Sequence, residues 1–393
     1  MFKISVPTNW QDDLVIRVSK GEVDEFYGKL AQDCIGGGRP AYGLPQVSRQ
    51  AAASHVDQVR KSGRAFNYLM NATCLDNTEL TRRGQREIHA LLDWLESIGV
   101  GSCTVSVPYL LEVVKKRSPH FKVYISTSSR VDSVERARNW EDLGADGIIL
   151  DSVSANRDFS LLRRLRKGVK CELVLIANVD CLYGCPFRNY HCTAISHASQ
   201  RGTISQGFFL DYSSLMCGYL RVKYPENFIR GDWIRPEDLG IYEKLGIDRI
   251  KLVDRTMPTE FIAGVTEAYL NRRYDGNLLD LFPNSRKKLM YKKVNLFSKM
   301  KYLFHPLRIN LYRVSKIREL DFDMFYIDNR SLDGFLEHFV EKDCRLTSCR
   351  ECGYCRDWAE RTVKVDCLER EKLIERYEKY LSQVISGGIF RYV

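Results

Sequence analysis

Short apolar, β-branched runs recur through the first 275 residues, separated by stretches with helical periodicity. The runs predict strands over 2–6 (FKISV), 24–27 (DEFY), 65–71 (AFNYLMN), 102–107 (SCTVSV), 122–127 (KVYIST), 147–150 (GIIL), 171–178 (CELVLIAN) and 249–253 (RIKLV). Between most of them lie amphipathic patterns. RRGQREIHALLDWLESIG places Ile88, Leu91, Leu92 and Leu95 on one helical face, and SVERARNWEDLG and PEDLGIYEKLG end in glycine, as helices do. A unit of helix, then L-G or I-G, then strand repeats in SIGVGSCTV, DLGADGIIL and KLGIDRIKL. Eight strands with helical crossovers predict an α/β fold, a (β/α)₈ TIM-like barrel over residues 1–275.

Chemistry in such barrels gathers at the C-terminal ends of the strands. This register puts Asn71, Ser106, Ser126, Thr127, Asp151, Asn178 and Asp180 there. The segment CIGGGRPAYGLP (34–45) follows the second strand. Its glycines would let the backbone approach a ligand closely, and Arg39 would hold a carboxylate or phosphate with two parallel hydrogen bonds. A flexible turn with a solvated arginine accounts for the same residues equally well. The segment is neither a G-x-G-x-x-G fingerprint nor a P-loop.

Composition sharpens this picture at two points. The chain has 393 residues, 44% apolar and 28% charged, which excludes a wholly disordered chain, a collagen or a short disulfide scaffold. Its 13 cysteines and formal charge of +10 are the unusual features. MFKISVPTNW lacks the form of a secretory signal, and no stretch approaches the ~20 apolar residues of a membrane span. A cytoplasmic location is therefore expected, where clustered cysteines bind metal more often than they form disulfides.

Cys34, Cys74, Cys103, Cys171 and Cys367 are isolated and read as small buried apolar residues. The other eight cysteines form two sets of four. Cys181, Cys185, Cys192 and Cys217 follow C-x₃-C-x₆-C and then a 24-residue gap, directly after the seventh strand and so at the expected barrel mouth. The third thiol comes too late for a radical S-adenosylmethionine motif. Pro186 follows Cys185, as proline often follows an iron–sulfur cysteine. His191 and His197 lie nearby as ligands or, more simply, as hydrogen-bonded histidines. Cys344, Cys349, Cys352 and Cys355 follow C-x₄-C-x₂-C-x₂-C, a compact metal-binding spacing that suits either zinc or an iron–sulfur cluster.

Most of the excess charge lies in residues 286–318, which carry eleven Lys/Arg and no acidic residue, interleaved with Tyr291, Phe297, Tyr302, Phe304 and Tyr312. Such a segment suits RNA, an anionic lipid surface, or a solvated linker whose aromatic residues pack on the barrel. The charged amphipathic tail 368–384 reads as a packing helix. Three regions are expected: the barrel (1–275), a basic and aromatic connection (276–335) and a cysteine-rich metal-binding region with its helix (336–393).

At NVDCLYGCPFRNYHC and WIRPEDLGIYEKLGIDRIKLVDR the chain resembles peptidase family U32, the collagenase-like peptidases. The resemblance runs over most of residues 1–275 and includes the GGGRP loop and STSSRVDS. It implies a barrel with a [4Fe–4S] cluster on Cys181, Cys185, Cys192 and Cys217. It also implies oxygen-independent hydroxylation in ubiquinone synthesis or RNA modification, with a prephenate-like oxygen donor, and peptidase activity as claimed for some members. A partner protein of the same family is a further possibility. The sequence departs from the family in three places. Ala177-Asn178-Val179-Asp180-Cys181 replaces His-Gly-Ala-Leu-Cys, Lys251-Leu252-Val253-Asp254-Arg255 replaces Lys-Ile-Glu-Gly-Arg, and the cysteine spacing is compressed.

Three functions are therefore weighed. A hydroxylase-like oxidoreductase would use Arg39 and Arg255 to clamp a carboxylate-bearing donor, with Lys251 and Asn178 as further catalytic candidates. A peptidase needs a nucleophile–base pair or a catalytic metal, yet neither G-x-S-x-G nor H-E-x-x-H occurs. A non-catalytic metalloprotein would bind RNA or a partner through 286–318.

Overall fold

A computed structural model describes residues 2–200, 203, 207, 209–286, 310, 312–313 and 316–390. Eight parallel strands close a barrel: β1 (Lys3–Pro7), β2 (Val23–Gly28), β3 (Ala65–Met70), β4 (Ser102–Val105), β5 (Lys122–Ile125), β6 (Gly147–Ile149), β7 (Glu172–Ile176) and β8 (Arg249–Lys251). Each pairs with the next, and β8 closes on β1 through Lys3, Ile4 and Ser5. All eight predicted strands are present, several shorter at their C-terminal ends. Past Lys251, for example, the backbone leaves the ladder and Val253 N–H donates to the Asn178 side chain instead.

Alternation along each strand separates two interiors. Outward residues such as Leu173 and Leu175 join the apolar layer beneath the helices. Inside the barrel, Tyr124, Ile149, Val174 and Ile176 form a separate apolar cluster contributed by β5, β6 and β7. The rest of the interior is polar, with Ser5, Glu25, Asn67, Ser102, Thr104, Arg249 and Lys251 all buried. Glu25 organises this half. It accepts from Ser5 Oγ at 2.6 Å and Asn67 Nδ2 at 3.4 Å and faces Arg249 Nη1 at 3.4 Å. Arg249 also pairs with Asp24 at 2.9 Å and Glu172 at 3.4 Å.

The C-terminal region shares the outer apolar core, to which Leu332, Phe335, Leu373, Tyr377 and Ile389 belong. Helix Cys367–Ile385 packs on helix Tyr212–Lys223, with Tyr377 lying over Gly218 and donating to Leu320 O at 3.2 Å. Helix Tyr354–Thr362 packs on Glu226–Arg230. Tyr326–Ile327 and Val363–Lys364 form a short antiparallel ribbon.

Of the isolated cysteines, Cys103 and Cys171 are buried and Cys34 and Cys74 are half-buried, whereas Cys367 is exposed. Cys367 is the first residue of its helix after the Asp366 cap, at an end that faces solvent together with Leu368. Most of the basic segment, including Tyr291, Phe297, Tyr302 and Phe304, lies outside the described residues. Tyr312 is described and exposed. No helix among the described residues is long and apolar enough to cross a membrane.

Removing Glu25 leaves Arg249 with less of its buried counter-charge. Glu25→Ala is expected to lower unfolding stability by about 3 kcal/mol, read from the urea midpoint. An unchanged midpoint would show that Asp24 and Glu172 suffice.

Candidate active site at the barrel mouth

A cavity of ≈ 450 Å³ opens at the C-terminal ends of the strands. One wall is built from the chain that follows β7. The loop after Ala177 carries Cys181 and Cys185, helix Arg188–Ser199 carries Cys192, and helix Tyr212–Lys223 carries Cys217. All four line the cavity. Cys181 N–H donates to Asp232 Oδ1 at 2.7 Å, which fixes the loop.

Two guanidinium groups belong to this wall. Arg188 donates from Nη1 to Cys181 Sγ at 3.5 Å and from Nη2 to Asp151 Oδ1 at 2.7 Å. Arg221 faces Cys217 and Cys181. Its Nε is 3.6 Å from Asp180 Oδ2, and Nε and Nη2 are both buried without a hydrogen-bond partner. Burial pushes the Cys181 and Cys185 thiols up, against the pull of Arg188 on both and of Arg221 on Cys185.

Four thiols and two buried guanidinium groups thus border one side of the cavity. Among the described residues, no three His, Cys, Asp or Glu side chains are gathered so as to hold a metal ion. His191 lines the cavity and contacts Asp211 Oδ2 through Nε2 at 3.0 Å. Burial opposes the Asp211 charge, yet hydrogen bonds from His191 and Ser214 hold its carboxyl below the usual range.

The opposite wall is cationic. Arg39, Lys251 and Arg255 all line the cavity. Arg39 Nε is 2.5 Å from Asp254 Oδ2. Arg255 is only 4% exposed, and its Nη1 is buried without a hydrogen-bond partner. Burial lowers its affinity for the proton, with Asp254 opposing. Lys251 Nζ lies 3.5 Å from the centre of the Tyr27 ring. Burial brings its ammonium down to about 7. Glu25 works against that shift, and Arg249 and Arg255 add to it. Leu69, Ile149, Ile176 and Val179 supply apolar lining.

Of the polar residues expected at the mouth, Asn71, Ser126 and Thr127 line the cavity. Ser106, Asp151, Asn178 and Asp180 are buried behind it as supports. Asn178 grips Val253 from both sides, donating from Nδ2 to its carbonyl at 2.5 Å and accepting its N–H at 2.7 Å. It therefore positions the β8 loop and lies off the cavity lining.

The glycine loop borders the cavity through Gly38, Arg39 and Pro40, while its first two glycines serve packing. A Cβ on Gly36 (φ +79°) would lie 2.6 Å from Ser199 Oγ, and one on Gly37 would lie 2.7 Å from Asn71 Oδ1. These glycines let the backbone close on neighbouring side chains, with Gly37 N–H donating to Ser199 Oγ at 2.6 Å. The result positions Arg39.

Arg188 and Arg221 went unnoticed in the sequence. For Arg221 the signal is its place four residues after Cys217 on one helix, whereas Arg188 opens its helix and reaches back to Cys181 in the preceding loop.

Thr8, His55 and Asp12 form a hydroxyl–imidazole–carboxylate chain, with distances of 2.7 Å to His55 Nε2 and 3.1 Å from Nδ1 to Asp12 Oδ1. Thr8 is fully buried and lies off the cavity lining, while Asp12 is the exposed end. The order is inverted for catalysis on a substrate.

Lys251 gives a pH signature. It is neutral in the folded chain above about 7 but protonated in the unfolded chain until ~10.4, so its contribution to stability rises with pH across that window. Lys251→Met is expected to lose that rise. Its stability relative to wild type should decline between pH 7 and pH 9 in urea titrations, and a constant difference would indicate a normally charged lysine.

The sequence profile of peptidase family U32 matches residues 46–174. The "Uncharacterized protease MJ1657" of Methanocaldococcus jannaschii is 31% identical over 375 residues, covering 93% of this chain and 99% of that protein. Among solved structures, the U32 peptidase Mk0906 aligns with 65% of this chain and 93% of its own at 21% identity and a TM-score of 0.49. Thiamine phosphate pyrophosphorylase from Pyrococcus furiosus aligns with 69% of this chain and 95% of its own at 13% identity and a TM-score of 0.38.

Proposed function

The chain belongs to peptidase family U32, and on that premise we propose that its barrel mouth is an iron–sulfur active site that takes a small carboxylate-bearing donor for oxygen-independent hydroxylation. The observation that carries this reading is Arg255. A guanidinium nitrogen is buried without a partner on one wall of a cavity whose other wall holds four cysteines. A buried, unsatisfied cation is costly unless an anion meets it.

Cys181, Cys185, Cys192 and Cys217 would hold a [4Fe–4S] cluster, which when bound supplies a Lewis-acidic or one-electron centre. The chain's own residues do the rest. Arg255 receives the carboxylate, and Arg39, held by Asp254, borders the same space. Lys251 gives up or takes a proton at Nζ near neutral pH. Asn71, Ser126 and Thr127 offer hydrogen bonds, and the apolar lining limits water. The cavity is of a size for a small molecule, a quinone precursor or one nucleobase of an RNA. A peptidase reading would need a nucleophile–base pair on the cavity, and the Thr8–His55 pair lies off it.

Two measurements test this. Protein purified without oxygen should be brown, and Cys185→Ala should lose about four irons and four sulfides per chain. Prephenate should bind the anaerobic wild type in calorimetry, with Arg255→Met weakening it roughly 10- to 100-fold. Colourless protein holding zinc alone, or equal prephenate affinity in both proteins, would sink the reading.

A further inference from the structure

The second cysteine set lies beyond the barrel, and its thiols are presented by a distinct local geometry. Cys349 and Cys352 sit on the turn of helix Cys349–Cys352, and Cys355 sits on helix Tyr354–Thr362. Gly353, with φ +68°, makes the bend between them. Thiols at such three-residue steps recur in ferredoxin-type iron–sulfur sites, a spacing shared with zinc sites. The Cys344 turn completes the set. Cys344 and Cys355 pack against the apolar core, while Cys352 is exposed.

A separate observation points to a negative group here. The Arg157 guanidinium is clamped over Trp233 at 4.3 Å and Phe335 at 5.0 Å, and its Nη1 donates to Ile229 O at 2.7 Å. Its Nε and Nη2 are buried with no hydrogen-bond partner. Tyr354, next to Cys355, stacks on the same Phe335 ring at 5.6 Å. Two unsatisfied N–H-bearing atoms beside a cysteine set fit N–H···S bonds to a cluster.

The two cysteine sets are joined by an unbroken chain of contacts. Arg345, next to Cys344, donates from Nη2 to Ser154 O at 2.6 Å and pairs through Nε with Asp158 at 2.9 Å. Ser154 Oγ donates to Asp151 Oδ2 at 2.5 Å. Asp151 Oδ1 accepts from Arg188, and Arg188 reaches Cys181 Sγ.

We propose that Cys344, Cys349, Cys352 and Cys355 hold a second iron–sulfur cluster that exchanges single electrons with the barrel-mouth site. The metal site stands on its own residues, whereas the exchange rests on the barrel-mouth reading above. An electron from an external one-electron carrier protein reduces the outer cluster on its exposed Cys352 side. That cluster is reoxidised as the inner one is reduced, and no bond is made or broken.

The test compares anaerobic wild type with two paired variants, Cys349→Ser/Cys352→Ser and Cys185→Ser/Cys192→Ser. Iron and sulfide should be about eight in wild type and about four in each variant. Dithionite-reduced wild type should show spin–spin-coupled paramagnetic resonance signals that each variant simplifies. Arg157→Leu, which spares every ligand, should keep all the iron and move the outer cluster's potential negative. Zinc in wild type that the Cys349/Cys352 variant loses overturns the proposal, as do uncoupled signals or an unmoved potential. If only the Cys185/Cys192 variant keeps full iron, the barrel-mouth reading and the electron exchange fail while the outer metal site stands.

Discussion

The barrel depends on how charge is settled inside it. Eight short parallel strands enclose a space that side chains must fill, and here much of that filling is polar, with Glu25, Arg249 and Lys251 charged or chargeable. Glu25 and Arg249 meet near the base of this interior, with Asp24 and Glu172 completing the arginine's surroundings. Two residues along the same strand, Lys251 faces inward one layer higher. Glu25 attracts it, but Arg249 and Arg255 repel it and burial outweighs the attraction. The pairing that stabilises the base thus leaves an under-compensated lysine at the floor of the cavity.

The same economy of charge shapes the mouth. Arg39 is matched by Asp254 and Arg188 by Asp151, whereas Arg255 and Arg221 retain unsatisfied nitrogens facing the cavity and the thiols respectively. Support residues concentrate behind these groups. Asn178 fixes the β8 loop, Asp232 fixes the backbone of Cys181, and the glycine loop closes on Ser199 and Asn71.

Much of the barrel was legible because β-branched runs and glycine-stopped helices are local signals, and all eight strands lie where those runs occur. That Cys181, Cys185, Cys192 and Cys217 all border one cavity follows from their place in the chain after β7. Roles that depend on distant partners were hidden. Asn178 looked like a mouth residue, but the carbonyl it holds belongs to Val253, on the loop after the neighbouring strand β8 and 75 residues away in the chain. Gly36 and Gly37 looked suited to a ligand, but their tight neighbours come from a helix over 150 residues later and from the loop after β3. The nearness of the two cysteine sets was equally invisible, because the 151–158 segment that joins them interacts with both only after folding. Cys367 was misplaced because a helix's first turn is apolar in sequence yet open in space.

Tyr377 ties the barrel mouth to a distant part of the sequence. It rests on Gly218, beside Cys217, and bonds Leu320, so helix Cys367–Ile385 braces the helix that carries the fourth thiol of the barrel mouth. The wall of the cavity is therefore set from outside the barrel as well as from within it. A change at Tyr377, far from the cavity lining, would reach Cys217 through one shared helix.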